Sequence, residues 1–235
     1  MSTHEQDSQR LNKYLAFHLG ISRRKADELI EQGLVTVNDT PAGLGSRVIK
    51  PQAVAVRNSL IVEKQAYTYI AFNKPAGYVC SRRQQGDIPT IYALLPSEYH
   101  HLKPVGRLDA DSSGIILLTD DGDFAQNMTH PKYYKLKHYE IVLDRELQPL
   151  HQQMINDFGV QLEDGPSKLT LERASDDNRL EWKVIMSEGR NRQIRRTFAS
   201  LGYTVTKLHR TTFGSYDLSG LSEGKYERII HHATS

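Results

Sequence analysis

The chain has 235 residues, 38% apolar and 25% charged, enough apolar material for a core and enough charge to keep it dissolved. Thirty basic and 28 acidic residues leave a net charge of +2, which excludes a uniformly basic tail protein but not nucleic-acid binding. The one cysteine, Cys80, excludes a disulfide framework and a multi-thiolate metal site. No apolar run approaches the roughly 18 residues that span a bilayer, and the polar first ten residues lack the apolar segment of a signal peptide. We therefore expect a soluble cytoplasmic protein without a membrane partner.

The N-terminal part of the sequence predicts a small α/β domain over residues 10–58, after a disordered lead-in over residues 1–9. Apolar residues recur at helical spacing from Leu11 until Gly20 ends a first helix. Ser22 is the expected N-cap of a second helix that ends at Gly33. Two short strands are predicted around 34–37 and 54–56, with an Asn-Asp turn after the first. Residues 59–66 are predicted to be a linker.

The charge of this small domain is uneven. Between residues 10 and 57 there are eight basic and four acidic residues, a local charge of +4, so the rest of the chain carries −2. Three of the cations occupy the first turn of the second helix, where the helix macrodipole disfavours positive charge. This placement indicates an anionic partner, although a solvated charged face would look similar. The cations expected to dock are Arg10, Lys13, Arg23, Arg24 and Lys25.

The run RLNKYLAFHLGISRRKADELIEQGLVTVN, residues 10–38, resembles the alpha-L RNA-binding domain first recognised in a small-subunit ribosomal protein. The resemblance implies a two-helix platform that docks on structured RNA through phosphate contacts.

Residues 67–235 predict a larger α+β domain. Strand-like runs are expected at 69–72, 115–118, 139–143, 168–172 and 180–185, and helices at 124–129, 146–158 and 192–201. The last two strands flank the hairpin turn signal at 176–178. Because strands outnumber helices and follow one another in hairpin order, we expect a mixed, largely antiparallel sheet flanked by helices.

The most informative loop precedes the apolar run at 115–118. Asp109 lies in a Gly-Arg-Leu-Asp turn, and Asp111-Ser-Ser-Gly114 leads into the strand. An acid on a tight loop that feeds a buried strand is held rigidly, which suits catalysis. A plain turn-forming aspartate is the competing interpretation. The spacing of acids also resembles a calcium loop, but its later positions are an apolar strand, which excludes that site.

The segment GRLDADSSGIILLTDDG, residues 106–122, resembles the catalytic motif of pseudouridine synthases of the RsuA branch. NKPAGY at 73–78 resembles the opening loop of this branch, and KHYEI at 137–141 resembles its tyrosine motif. EGRNRQIRR at 188–196 and KLHR at 207–210 resemble its basic motif and its closing strand. Five motifs in the family's order, behind an RNA-binding domain, imply an enzyme that isomerises uridine in ribosomal RNA and acts in ribosome biogenesis.

The resemblance also implies site residues. Asp109 corresponds to the essential aspartate and Arg195 to the arginine that pairs with it, which we expect to be a two-pronged pair. Tyr139 corresponds to the tyrosine that packs on the target base. Removal of a proton from the ring is the alternative role, although a phenol is a poor base near neutral pH. Leu208 is expected to pack against that ring, and Arg107 to hold the flipped-out position or a phosphate.

The stretch from Gly189 to Arg210 contains six cations and no acid. Such a set repels itself unless an anion lies across it, so we expect an RNA groove there, and the target base must leave its stack to reach Asp109. The cations are Arg190, Arg192, Arg195, Arg196, Lys207 and Arg210, of which Arg190, Arg192 and Arg196 are expected to bind substrate.

Nothing in the sequence requires a cofactor or a metal, because there is no glycine-rich phosphate fingerprint and no histidine–cysteine cluster. Two other functions remain open: an rRNA-binding assembly factor without chemistry, and a magnesium-dependent nuclease that uses Asp109, Asp111 and Asp123. The expected partner is ribosomal RNA of either subunit, bound by a monomer. Residues 73–81 look more like the small-subunit enzymes, and residues 188–196 look more like the large-subunit ones.

Overall fold

The structure is a computed structural model that describes residues 8–49, 52–62, 64, 66–175 and 177–230. Contacts within the chain divide it into two units, one ending at Thr68 and one beginning at Tyr69. Most of the predicted disordered lead-in, residues 1–7, lies outside the described residues. Across the described part of the chain, no helix is both long and apolar enough to span a membrane.

The first unit packs two helices against short antiparallel strands. Ser22 caps the second helix as predicted, because its Oγ accepts a hydrogen bond from the Lys25 backbone N–H at 3.1 Å. Gly20 ends the first helix with a φ of 67°, a left-handed conformation that glycine adopts without steric cost. The elements are β1 Gln9–Arg10, α1 Leu11–Leu19, α2 Arg23–Glu31, β2 Val35–Val37, β3 Thr40–Pro41, β4 Arg47–Val48, β5 Val54–Val56 and β6 Ser59–Leu60.

The segment predicted to be a linker begins as part of this unit. β6 pairs antiparallel with β5, so the four-stranded sheet has the order β3-β2-β5-β6. The Lys64 backbone N–H donates to Nδ1 of His18 at 2.9 Å, and the Tyr67 ring lies 4.3 Å from that of Phe17. The linker prediction is therefore wrong for residues 59 and 60, where the apolar run that starts at Leu60 was not recognised as the start of a short strand.

The second unit is built on a nine-stranded sheet. Its order is β13-β14-β10-β15-β9-β7-β17, with β8 paired to β9 and β16 to β15. Only β9 and β15 run parallel, so the predicted mixed, largely antiparallel sheet is confirmed. The strands are β7 Tyr69–Lys74, β8 Lys103–Val105, β9 Ser113–Thr119, β10 Lys137–Leu143, β11 Val160–Leu162, β12 Gly165–Ser167, β13 Thr170–Arg173, β14 Glu181–Met186, β15 Val205–Phe213, β16 Tyr216–Asp217 and β17 Tyr226–Arg228.

The α-helices of this unit are α3 Gly122–Thr129, α4 Pro149–Gln153 and α5 Gln193–Ser200. The single helix expected at 146–158 is shorter and changes character, since α4 is followed by a π-helical turn, Met154–Phe158. Single-turn 3₁₀ segments lie at Ile91–Leu94, Ser97–Tyr99 and Pro131–Tyr133. The predicted hairpin turn at 176–178 includes Asp176, which lies outside the described residues, but β13 and β14 pair as expected.

β9 is buried along its whole length because apolar clusters cover both faces of the sheet. Ile116 and Leu118 belong to the larger cluster, which also contains Trp182. Ile115 and Leu117 face the smaller one. The alternation follows from the two-residue period of a strand, and it makes β9 a rigid support for the loop that precedes it.

Candidate active site

The loop between β8 and β9 carries Asp109, and hydrogen bonds from a buried lysine hold it in place. Lys74, at the end of β7, is 0% exposed. Its Nζ donates to the backbone carbonyls of Pro75 at 2.9 Å, Asp109 at 3.1 Å and Ser112 at 2.6 Å. Burial lowers the pKa of Lys74, since the protein removes water from the ammonium. The contacts hold both ends of the 109–112 turn at defined positions.

The end of this loop lies against β15. Gly114 has a φ of 109° and pairs with Arg210 across the parallel ladder. A Cβ at Gly114 would overlap the backbone of Arg210. Only glycine allows this close approach, which brings the Asp109 loop beside β15.

The carboxylate of Asp109 lies on the wall of a cleft of about 490 Å³. Its side chain is 32% exposed, so it is reachable from the cleft. The nearest cation is Arg192, whose Nη1 lies 3.6 Å from Oδ2 of Asp109. Arg192 is the N-cap residue of α5 and has a φ of 46°, a left-handed conformation that directs the chain back toward the loop.

The expected pair between Arg195 and Asp109 is not formed, and the neighbouring carboxylate takes its place. Nη2 of Arg195 donates to the Asp111 carbonyl at 2.9 Å, and its Nε lies 3.4 Å from Oδ2 of Asp111. Nη1 of Arg195 donates to the Val205 carbonyl at 2.5 Å. The physical reason is that the hydrogen bond to Val205 holds the guanidinium at the start of β15. At that position the carboxylate within reach is that of Asp111.

Asp111 joins the two arginines. Arg192 binds it in two-pronged fashion, with N–O distances of 3.2 and 3.0 Å. Partial burial acts to raise the pKa of Asp111, but the hydrogen bonds from Arg192 and the charges of Arg195 and Arg192 outweigh it and hold the pKa below its ordinary value. Asp111 is therefore ionised at neutral pH and keeps both guanidinium groups beside the cleft.

Part of the cleft lining is apolar. Tyr139 on β10 and Leu208 on β15 are 8% and 7% exposed and line the cleft, together with Met186 and Ile194. Such a surface fits the flat face of an aromatic base. Arg107, which was expected to touch substrate, is exposed and also lines the cleft.

The basic stretch differs from its prediction, since acids from other segments neutralise much of it. Asp164, in the turn between β11 and β12, accepts hydrogen bonds from Arg190 at 3.0 Å and from Arg196 at 3.1 and 2.7 Å. Arg190 also contacts Glu188 and the carbonyls of Gly165 and Pro166. For Arg190, Arg192 and Arg196, the inference that an external anion is required is wrong, because a count of charges within one segment omits acids brought in by the fold.

Two residues of the site were missed. Lys137 lines the cleft on β10, two residues before Tyr139. Since side chains two apart on a strand share a face, that spacing was a usable signal. Lys74 stands in the NKPAGY motif at 73–78, but its burial was not expected, because a lysine is normally exposed.

The described residues hold no group of three or more His, Cys, Asp or Glu side chains placed to bind a metal. Asp109, Asp111 and Asp123 therefore do not form the cluster that the nuclease alternative requires. Residues 68–200 match the family model described as RNA pseudouridylate synthase, and residues 9–54 match the S4 domain.

The ribosomal small subunit pseudouridine synthase A of Pasteurella multocida is 36% identical over 226 residues, which cover 94% of this chain and 95% of that protein. The ribosomal large subunit pseudouridine synthase B of Bacillus subtilis is 35% identical over 232 residues, which cover 95% and 93%. A crystal structure of a pseudouridylate synthase superposes with a TM-score of 0.66 at 30% identity, and covers 94% of this chain and 96% of that one.

These similarities extend over both units and confirm the family and the fold class that the motifs predicted. The cleft beside Asp109 lies in the part of the chain that matches the synthase model. The chain therefore belongs to the ribosomal RNA pseudouridine synthases, enzymes that here combine an S4 domain with a synthase domain.

Proposed function

We propose that this enzyme converts a specific uridine of ribosomal RNA to pseudouridine in the cleft beside Asp109, without a cofactor. The observation that carries the proposal is the partly exposed carboxylate of Asp109, in the same cleft as the apolar side chains of Tyr139 and Leu208. The carboxylate can act on the sugar while the apolar surface receives the base. The isomerisation breaks the bond from the sugar to N1 and forms one to C5, and the C5 proton is exchanged for one on N1. Since atoms and electrons balance within the nucleotide, no co-reactant is needed.

In this proposal the Asp109 carboxylate acts at the sugar carbon that loses the base. Arg192 places a positive charge 3.6 Å from this carboxylate, and Lys74 holds the backbone of the turn that carries it. Tyr139 stacks on the uracil ring. Arg195 contributes through Asp111, which it shares with Arg192.

The proposed substrate is structured ribosomal RNA. One relative described above is named for the small subunit and another for the large subunit, at nearly equal identity, so the similarity favours neither. Within the first unit, Arg10, Arg23, Arg24 and Lys25 are exposed, and Lys13 is half-buried. Exposed cations in an S4 domain support phosphate docking, and the target base then has to flip out of its stack to enter the cleft.

The test compares pseudouridine maps of ribosomal RNA from cells with and without the gene, restored with the natural chain or with Asp109→Asn. We expect one or more sites to vanish without the gene, to return with the natural chain, and to stay absent with Asp109→Asn. RNA affinity of Asp109→Asn, measured by filter binding, should be nearly unchanged.

Asp123→Asn is the matched control, because Asp123 is an exposed acid at the N-terminal end of α3 and has no role in the proposal. It should restore every site. Turnover by Asp109→Asn within about tenfold of the natural enzyme, a barrier change of roughly 1.4 kcal/mol, would contradict the assignment of Asp109. Maps that do not change when the gene is removed would instead favour the non-catalytic assembly factor.

A further inference from the structure

Three cations that line the cleft form no ion pair with a carboxylate of the described residues, namely Arg107, Lys137 and Arg210, and two of them lie over the same aromatic ring. Arg210 on β15 and Lys137 on β10 both line the cleft. Both lie over the ring of Phe213, with Cζ of Arg210 4.8 Å and Nζ of Lys137 5.6 Å from its centroid. Neither forms an ion pair with any carboxylate in the described part of the chain, whereas Arg190, Arg192, Arg195 and Arg196 all do.

Arg210 is unusual because it is almost fully buried and largely unbonded. It is 2% exposed. Its Nε donates to the Ile115 carbonyl at 2.9 Å, which fixes the orientation of the guanidinium. Its Nη2 is buried and has no hydrogen-bond partner among the described residues. A buried donor of a charged group without a partner costs free energy, so its retention beside a cleft indicates a ligand that supplies the acceptor.

Lys137 adds a second positive charge at the same place. Its Nζ donates to the carbonyls of Ser187 at 2.9 Å and Glu188 at 3.0 Å, with a longer contact of 3.4 Å to Lys135. Neutral carbonyls orient the ammonium but do not cancel its charge. Burial and the nearby charge of Arg210 lower the pKa of Lys137 to about 8, while Glu188 acts to raise it. The two cations therefore repel each other.

We propose that Lys137 and Arg210 form a phosphate subsite that binds the backbone phosphate of the target nucleotide. The inference rests on the proposed function, because it assigns this part of the cleft to the same nucleotide whose base stacks on Tyr139. A phosphate carries a full negative charge and offers several acceptor oxygens. It can accept from Nη2 of Arg210 and balance both cations at once.

A uracil carbonyl is the alternative ligand, and the charges argue against it. A neutral carbonyl oxygen satisfies one donor but leaves two uncompensated cations in a partly desolvated site. The cleft volume of about 490 Å³ falls within the roughly 300–1,000 Å³ of small-molecule sites and can hold a nucleotide. Arg192 and Arg195, which also line the cleft, are already paired with Asp111.

The experiment titrates the full chain with uridine 5′-monophosphate, uridine and inorganic phosphate, with affinities read from NMR chemical-shift changes. We expect the monophosphate to bind at least tenfold more tightly than uridine, and inorganic phosphate to compete with it. Lys137→Met and Lys137→Gln should both reduce the affinity for the monophosphate toward that for uridine, with the affinity for uridine unchanged. Lys183→Met is the matched control, because Lys183 is an exposed lysine of β14, and it should bind like the natural chain.

Equal affinity for uridine and its monophosphate, or an unchanged monophosphate affinity in folded Lys137→Gln, would overturn the phosphate subsite. A loss of affinity for uridine in Lys137→Gln would show that the two cations bind the base, and would also overturn the phosphate subsite. Thermal unfolding of each variant verifies that it is folded. The titration requires no turnover, so its result is separate from the activity of Asp109→Asn, which alone tests the proposed function.

Discussion

Lys74→Met tests whether the buried ammonium is the clamp that positions Asp109. The substitution keeps a long apolar side chain in a 0% exposed site and removes the donor of three hydrogen bonds. The carbonyls of Pro75, Asp109 and Ser112 then lose a common partner. We expect both the stability of the chain and the turnover to fall.

The magnitude follows from two opposing effects. Hydrogen bonds to a charged group contribute about 1.5–3 kcal/mol each, and a buried acceptor left unsatisfied costs about 1–3 kcal/mol. Against this, methionine avoids the desolvation of an ammonium, which is several kcal/mol. With water reaching part of the loosened loop, we expect the free energy of unfolding to fall by about 2–4 kcal/mol. Turnover should fall at least tenfold, because the carboxylate of Asp109 loses its fixed position.

The pH dependence has a definite sign. Burial lowers the pKa of Lys74, so the unfolded chain holds more protons than the folded chain between the folded and unfolded pKa values. Lys74 therefore makes stability rise with pH in that interval, and Lys74→Met should lack this contribution.

The assay is urea unfolding followed by the fluorescence of Trp182, the single tryptophan, which is 1% exposed. Initial rates of pseudouridine formation are measured on the same preparations at a temperature where the variant is folded. Lys183→Met, an exposed lysine, serves as the control and should change neither quantity. A stability loss below about 0.5 kcal/mol, or normal turnover in the folded variant, would refute the clamp.

Three other perturbations have expected outcomes. Gly114→Ala should lower the free energy of unfolding by more than about 3 kcal/mol or prevent folding, because the new Cβ overlaps backbone at a φ of 109°. In the control Gly43→Ala the new Cβ meets nothing within 4 Å, so urea unfolding should show a loss under about 1 kcal/mol. Asp111→Asn should lower stability at neutral pH by about 0.5–1 kcal/mol, since the pair with Arg192 is half-exposed. The difference should disappear as the pH falls through the lowered pKa of Asp111, and a constant difference down to acid pH would refute it. Affinity for uridine 5′-monophosphate should decline as the pH rises above about 8, where Lys137 loses its proton, and a flat profile from pH 7 to 9 would contradict this.

Several features of the fold were predictable because they depend on local sequence. The cap at Ser22 requires only a side-chain oxygen three residues before a backbone N–H. The continuous apolar run after Gly114 predicts a strand buried on both faces, and this prediction does not depend on which residues pack against it. The ordered motifs also predicted the family, since they reflect residue type and spacing along the chain.

Ion pairing could not be predicted in the same way. Arg195 meets Asp111 instead of Asp109, and Asp164 reaches Arg190 and Arg196 from a hairpin about 30 residues earlier in the chain. Charge interaction falls with distance in space, and a sequence contains distance along the chain only. The strand at 59–60 is only two residues long, too short for an alternating pattern to indicate that it pairs with β5.

Local sequence patterns were enough to predict that the chain has two units, which strand supports the Asp109 loop, and the class of reaction. Only the folded chain shows which cation lies beside Asp109, which arginines are paired with acids, and which cations are unpaired. Lys74 shows the reason most directly. A lysine next to a proline looks exposed in sequence, but the pairing of β7 with β9 places it beside the loop before β9, and three backbone carbonyls accept from its ammonium. Propensity and periodicity act between near neighbours, whereas the electrostatics of a site depends on groups that only folding brings within hydrogen-bonding distance.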